Sequence, residues 1–145
     1  RRMRKREIAA SGKVNSNGQL SLFMGEVNEF LKDWKNAKIV VRFIVSNPEN
    51  SEPLKAYYFH YVVPTMRRAI WENGERKTES ETELFLRELS PITQEQTPDI
   101  ETGKYSTRVR EICELSNAEF VEHIDIFKQI AAEEYSTFID DPRNI

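Results

Sequence analysis

The stretch that most constrains this chain runs from Ser51 to Asn73, SEPLKAYYFHYVVPTMRRAIWEN. Leu54, Tyr58, Tyr61, Val62, Met66, Ala69 and Ile70 recur at three- and four-residue intervals, the spacing that puts apolar side chains on one broad helical stripe. The pattern predicts the central core helix. Pro64 lies inside it, lacks an N–H for the carbonyl four residues back and crowds that carbonyl with its ring, so a bend is expected between His60 and Pro64. A bent helix persists only if neighbours pack both halves. Arg67, Arg68 and Trp71 follow the proline and set cationic and aromatic groups beside the stripe. They are the first candidates for function.

The neighbouring pieces follow from local patterns. Asn17 and Gly18 supply the positive φ angles of a tight turn between Ile8–Asn15 and Gly18–Phe23, which predicts a short hairpin. Val27, Phe30, Leu31 and Trp34 give a helix over Glu26 to Lys35. Lys38 to Ser46, KIVVRFIVS, is dense in β-branched and aromatic residues and predicts a strand in the middle of a sheet, interrupted only by Arg42. Pro53 suits the first turn of the central helix, with Ser51 or Glu52 as cap, and Asn73-Gly74 its stop. Ser80-x-x-Glu83 predicts a capped helix over Glu81 to Leu89. Ile92 to Gly103 reads as a surface loop, and Tyr105 to Cys113 as a strand with Arg108 and Arg110 on one face. Ser116-x-x-Glu119 opens a long amphipathic helix through Phe120, Ile124, Phe127, Ala131 and Tyr135. Phe138 and Ile139 are expected to pin the tail.

A length of 145 residues suits one domain with a real core. The expected division is a basic arm over 1–12, carrying Arg1, Arg2, Arg4, Lys5 and Arg6, and a single domain over 13–145. Eight Phe, five Tyr and two Trp supply large apolar surfaces that a disordered chain lacks. No run is apolar enough to cross a bilayer and no signal segment opens the sequence, so the expectation is a soluble, cytoplasmic protein with no membrane attachment. The lone Cys113 has no disulfide partner and reads as a buried small hydrophobe. The net charge of −3 decides neither for nor against nucleic acid, because local potential steers a polyanion. The basic arm reads equally as a solvated tail or as a phosphate contact.

The order of these pieces resembles the phage NinB family, also called the Orf recombination proteins. The likeness spans Gly18 to Pro142. It is carried by Tyr57-Tyr58 with Val62-Val63-Pro64, and by Leu115-Ser116 with Glu119-Phe120, followed by Ala131-Ala132-Glu133 and Asp141-Pro142. Where family members carry an arginine and a glutamine ahead of the paired tyrosines, this chain has Asn50, Ser51, Pro53 and Leu54. The resemblance implies a homodimeric α+β protein that binds DNA, preferring single strands, as an accessory or mediator of homologous recombination in phages and mobile elements. Its partners would include single-strand-binding or recombination proteins, and it brings no catalytic residue, cofactor or metal.

The residues can be read to the same end. Single-strand binding needs cations for phosphates and planar groups on which bases stack. Arg42, Lys55, Arg67, Arg68, Arg108 and Arg110 are the candidate track, with Trp71 or Tyr57 as stacking face. Each cation has an alternative reading as a solvated charge or an ion-pair partner, with Glu72 and Glu75 close to Arg67 and Arg68. Tyr58 and Tyr61 read as core. A non-catalytic protein-interaction domain is a second reading, supported by the acidic balance of Glu79 to Glu101 and of the last helix. A metal-dependent nuclease is a third. It would have to gather Asp125, Glu133 or Asp140 from separate elements, since His60 and His123 lie in no ligand motif and read as half-buried or solvent-facing.

The overall expectation is an α+β fold: a small, mainly antiparallel sheet from the hairpin, Lys38–Ser46 and Tyr105–Cys113, packed by the kinked central helix and a long C-terminal helix.

Overall fold

In the computed structural model, which describes residues 6–142, the stretch around Pro64 is helical from Glu52 to Glu72. It comprises α2 (Glu52–Tyr57), a π-helical turn (Tyr58–Val62) and α3 (Val63–Glu72). Ser51 caps it, its side chain accepting from the Leu54 N–H at 3.4 Å, with Pro53 in the first turn. The Val63 N–H bonds to the Tyr58 carbonyl five residues back. That wider turn accommodates the proline that follows and falls where the bend is expected. Gly74, at φ +98, and its N–H bond to Trp71 end the helix.

The chain divides into two compact units, Arg1–Arg42 and Phe43–Ile145. In the larger unit the apolar stripe of the bent helix meets α4 (Glu79–Leu89) and α5 (Asn117–Tyr135). Tyr58, Val62, Val63 and Met66 pack there with Leu86, Leu115, Phe120, Ile124, Phe127 and Ala131, all essentially without solvent contact. The predicted cap of α5 forms: Ser116 accepts from the Glu119 N–H at 3.2 Å while Glu119 accepts from the Ser116 N–H at 3.0 Å. On α4 the box sits two residues earlier than expected, between Thr78 and Glu81. Glu83 is not available for capping because it pairs with Arg87 near the core.

Asn50, where the resembled family departs from this chain, is a buried clamp. Its Nδ2 donates to the carbonyls of Ile112 and Leu115, both at 2.9 Å. Of the two apolar residues expected to pin the tail, Ile139 is buried and Phe138 is 78% exposed. Tyr61 donates to the Asp140 carboxylate at 3.1 Å and Tyr57 to the Asp140 carbonyl.

The α+β class holds, but the sheet is not the one expected. Among the described residues two separate antiparallel ribbons form: β1 (Gly12–Val14) with β2 (Leu20–Leu22), and β3 (Gln94–Pro98) with β4 (Tyr105–Val109). Lys38–Ser46 has no regular secondary structure and every residue in it is exposed. Its composition fits a packed, pleated surface, and β preference of this kind is realised only where partner strands exist. The expected loop Ile92–Gly103 contains β3. Gly103, at φ +70, donates to the Asp99 carbonyl at 2.8 Å and turns the chain back onto β4, which ends at Val109, short of Cys113. Cys113 is half-exposed rather than buried.

In the smaller unit the hairpin forms where Asn17-Gly18 places it, with the Asn15 carboxamide oxygen accepting from the Asn17 and Gln19 N–H groups at 2.9 Å. At Gly12 a Cβ would lie 2.6 Å from the Ser21 carbonyl oxygen, so the close approach of the two strands requires glycine there. The helix α1 covers Met24–Lys32, not Glu26–Lys35; tight turns to the Phe30 and Leu31 carbonyls close it before Trp34. No described helix is long and apolar enough to cross a membrane. Residues 1–5, most of the expected basic arm's charge, lie outside the described residues.

Candidate nucleic-acid interface

The candidate cations separate into four surroundings. Arg67 and Arg68 share α3 with Trp71. Arg67 points its Nε at the Lys77 carbonyl, 2.7 Å away, which ties the segment after Gly74 back against the helix. That reversal brings Arg76 to 4.7 Å from the Trp71 ring centroid, with Arg67 at 5.9 Å. Trp71 remains 45% exposed, and Arg68 is exposed one residue along. The result is an indole flanked by guanidinium groups, an arrangement favoured by the negative face of the ring. Arg76 escaped the sequence reading. The signal that could have found it is Gly74, whose left-handed conformation folds the following residues over the last helical turn.

Arg108 and Arg110 have different surroundings. Arg108 is clamped between Glu95 and Glu114, and Arg110 hydrogen-bonds Glu119 at 2.7 Å and the Ile92 carbonyl at 3.3 Å. The Arg110 hydrogen bond, with that of the Ser116 N–H, holds the Glu119 carboxyl down at about 2. These two arginines join β4 to β3 and to the start of α5, and their charge is answered by carboxylates.

Lys55 stands on α2, sixteen residues before Trp71, or roughly 24 Å along a helix rising 1.5 Å per residue. It pairs with Glu52 at 2.9 Å and lines a cavity of about 230 Å³ with Phe59, Glu83, Glu111, Ile112 and Cys113. Arg42 is exposed at the end of the smaller unit. Tyr57, the alternative stacking face, is buried at 7% and stacks on Tyr61 at 5.8 Å instead. Of the candidate set, therefore, Arg67, Arg68 and Trp71 come together, joined by Arg76.

A buried polar chain joins α5, the π-helical turn and α4 in the larger unit. His123, with no solvent contact, places Nε2 3.0 Å from the Tyr58 hydroxyl, and that hydroxyl stands 3.5 Å from Glu83. Arg87 Nε donates to both Glu83 oxygens at 2.8 and 2.9 Å, and its Nη1 reaches Glu111 at 3.5 Å. Burial lifts the Glu83 carboxyl above its ordinary value despite Arg87, and burial likewise raises the Tyr58 hydroxyl. His60, by contrast, is exposed. Among the described residues no three His, Cys, Asp or Glu side chains converge on a point fit for a metal ion, and Asp125, Glu133 and Asp140 do not gather.

Fold and surface together define an α+β protein whose most distinctive exposed feature is a tryptophan between arginines. No family model, curated protein or solved structure matches the chain.

Proposed function

We propose that this chain binds single-stranded DNA and serves as a non-catalytic accessory in homologous recombination. The observation that carries the binding part is Trp71, half-exposed between Arg67 and Arg76 with Arg68 beside it. A base stacks on an indole whatever its identity, and the guanidinium groups that lie over the ring in the free chain turn from its face to the phosphates on either side as the base takes their place. The recombination role rests on the resemblance to the NinB family.

The test is salt-titrated binding to a fluorescent oligothymidylate. Affinity is expected to fall steeply with salt, because each neutralised phosphate releases counterions. Replacing Arg67 and Arg68 together by Ala should weaken binding several-fold and reduce the logarithmic salt slope by roughly 1.4, about 0.7 for each lost phosphate contact on a single strand. No binding at low salt would remove this reading and favour the protein-interaction alternative.

The proposal includes a homodimer. Ile39, Val40 and Val41 close the smaller unit and Phe43, Ile44 and Val45 open the larger, all exposed and unpaired in the single chain, Val40 at 94% and Val45 at 91%. Chains with such segments gain by pairing them with another copy. Light scattering at micromolar concentration is expected to give twice the chain mass; a monomeric mass there would discard the dimer.

A further inference from the structure

Charge is divided unequally between the two units. Residues 1–42 hold ten Lys and Arg against four Asp and Glu, a formal +6; residues 43–145 hold eleven against twenty, a formal −9. The overall −3 therefore conceals a cationic unit joined to an acidic one. A polyanion responds to the local potential, so it meets the first unit favourably and most of the second unfavourably.

The described residues of the cationic unit are also mostly exposed. Among its described residues none is buried, and Val14, Leu20, Leu22 and Phe23 stand exposed, Phe23 at 83%. Trp34, just past α1, is half-buried, with the Arg6 guanidinium 5.1 Å from its ring centroid. Both tryptophans of the chain thus carry an arginine over the ring. Lys35, Lys38 and Arg42 follow it, all exposed and with no ion pair among the described residues, whereas Lys32 pairs with Glu29 at 2.9 Å.

We infer that this N-terminal unit is the principal anchor for single-stranded DNA, its lysines and arginines neutralising phosphates while Trp34 and Phe23 offer faces to bases. The inference rests on the DNA-binding reading above and makes the Trp71 patch the lesser of two contacts. Charge complementarity selects the occupant: a stretch of sequence with six excess positive charges, which also carries the exposed ring of Phe23 and the half-buried ring of Trp34, matches a chain of phosphates carrying unstacked bases. Duplex DNA would satisfy the charge but hide its base faces from the rings.

The test uses the full chain and an oligothymidylate. K35A/K38A/R42A, three exposed positions, is expected to weaken binding at least tenfold at low salt and to lower the logarithmic salt slope by about 2. That loss should exceed the loss from R67A/R68A. In the Trp71→Phe variant the only indole is Trp34, and its fluorescence should be quenched on binding, a readout that does not depend on the triple variant folding. Unchanged affinity and slope in K35A/K38A/R42A, or an unquenched Trp34, would overturn the inference while leaving the DNA-binding reading intact if R67A/R68A still loses affinity. Failure of the parent chain to bind would overturn both.

Discussion

Arg87→Ala is expected to lower the unfolding free energy of the larger unit by about 3–5 kcal/mol, the range for removing one partner of a buried ion pair. The Arg87 and Glu83 side chains are each only 12% exposed, and Arg87 Nε holds both Glu83 oxygens. Without Arg87 the carboxylate has no cation, and the nearby Tyr58 hydroxyl, 3.5 Å away, is too distant to replace it. Arg87 also donates to the Arg110 carbonyl at 3.3 Å, so its loss reaches the end of β4. Replacing both partners with apolar residues of similar size, as in E83L/R87M, should restore most of the stability, because no uncompensated charge then remains. Urea unfolding followed by far-ultraviolet circular dichroism measures both. A loss under about 1 kcal/mol for Arg87→Ala would show that the pair is hydrated in solution and that the buried chain contributes little.

The second large effect is acid sensitivity centred on His123. Burial, and next the nearby positive charge of Arg87, hold its imidazole down at about 4, against an ordinary 6.5. The groups facing it are Tyr58 from the π-helical turn, Phe127 from its own helix and, through Tyr58, Glu83 and Arg87 on α4. Its Nδ1 is buried with no hydrogen-bond partner, so a proton placed there would have no acceptor. The unfolded chain takes up that proton near pH 6.5 and the folded chain only near 4. Stability from this group is therefore complete above 6.5 and lost as pH falls from 6.5 to 4. The gap corresponds to about 3 kcal/mol, at about 1.4 kcal/mol per tenfold change in proton affinity. Glu83 works in the opposite direction, since its raised carboxyl takes up a proton earlier in the folded state. Glu119 adds a loss only at lower pH, from its ordinary range down to about 2. A pH series of urea midpoints should show the decline between 6.5 and 4, and His123→Phe should flatten it. An unchanged slope in that variant would assign the sensitivity to other groups.

Much of the helical framework was legible in the sequence because the signals are local. The period of Leu54, Tyr58, Val62 and Met66, the proline at 64, the Ser116–Glu119 box and Gly74 each act within a few residues, and each appears where it was read. The sheet was less legible. Lys38–Ser46 carries the strongest strand composition in the chain yet pairs with no strand among the described residues, while the polar QEQTP of β3 pairs with β4 because the Asp99–Gly103 turn delivers it there.

The candidate cations show the same division. Their types and positions on elements could be read from the chain, but which of them keep a free charge depends on carboxylates far away in sequence or across a turn. Arg108 reaches back thirteen residues to Glu95, and Arg110 forward nine to Glu119. Arg76, which no periodicity marks, arrives over Trp71 through the Gly74 turn. The amino-acid order alone settled the bent helix, its caps and the concentration of positive charge ahead of residue 43, since backbone stereochemistry and net charge need no partner. Strand pairing, the locking of Arg108 and Arg110, and the burial of His123 were decided only by the tertiary structure, because each is a relation between surfaces that come together after the chain has folded.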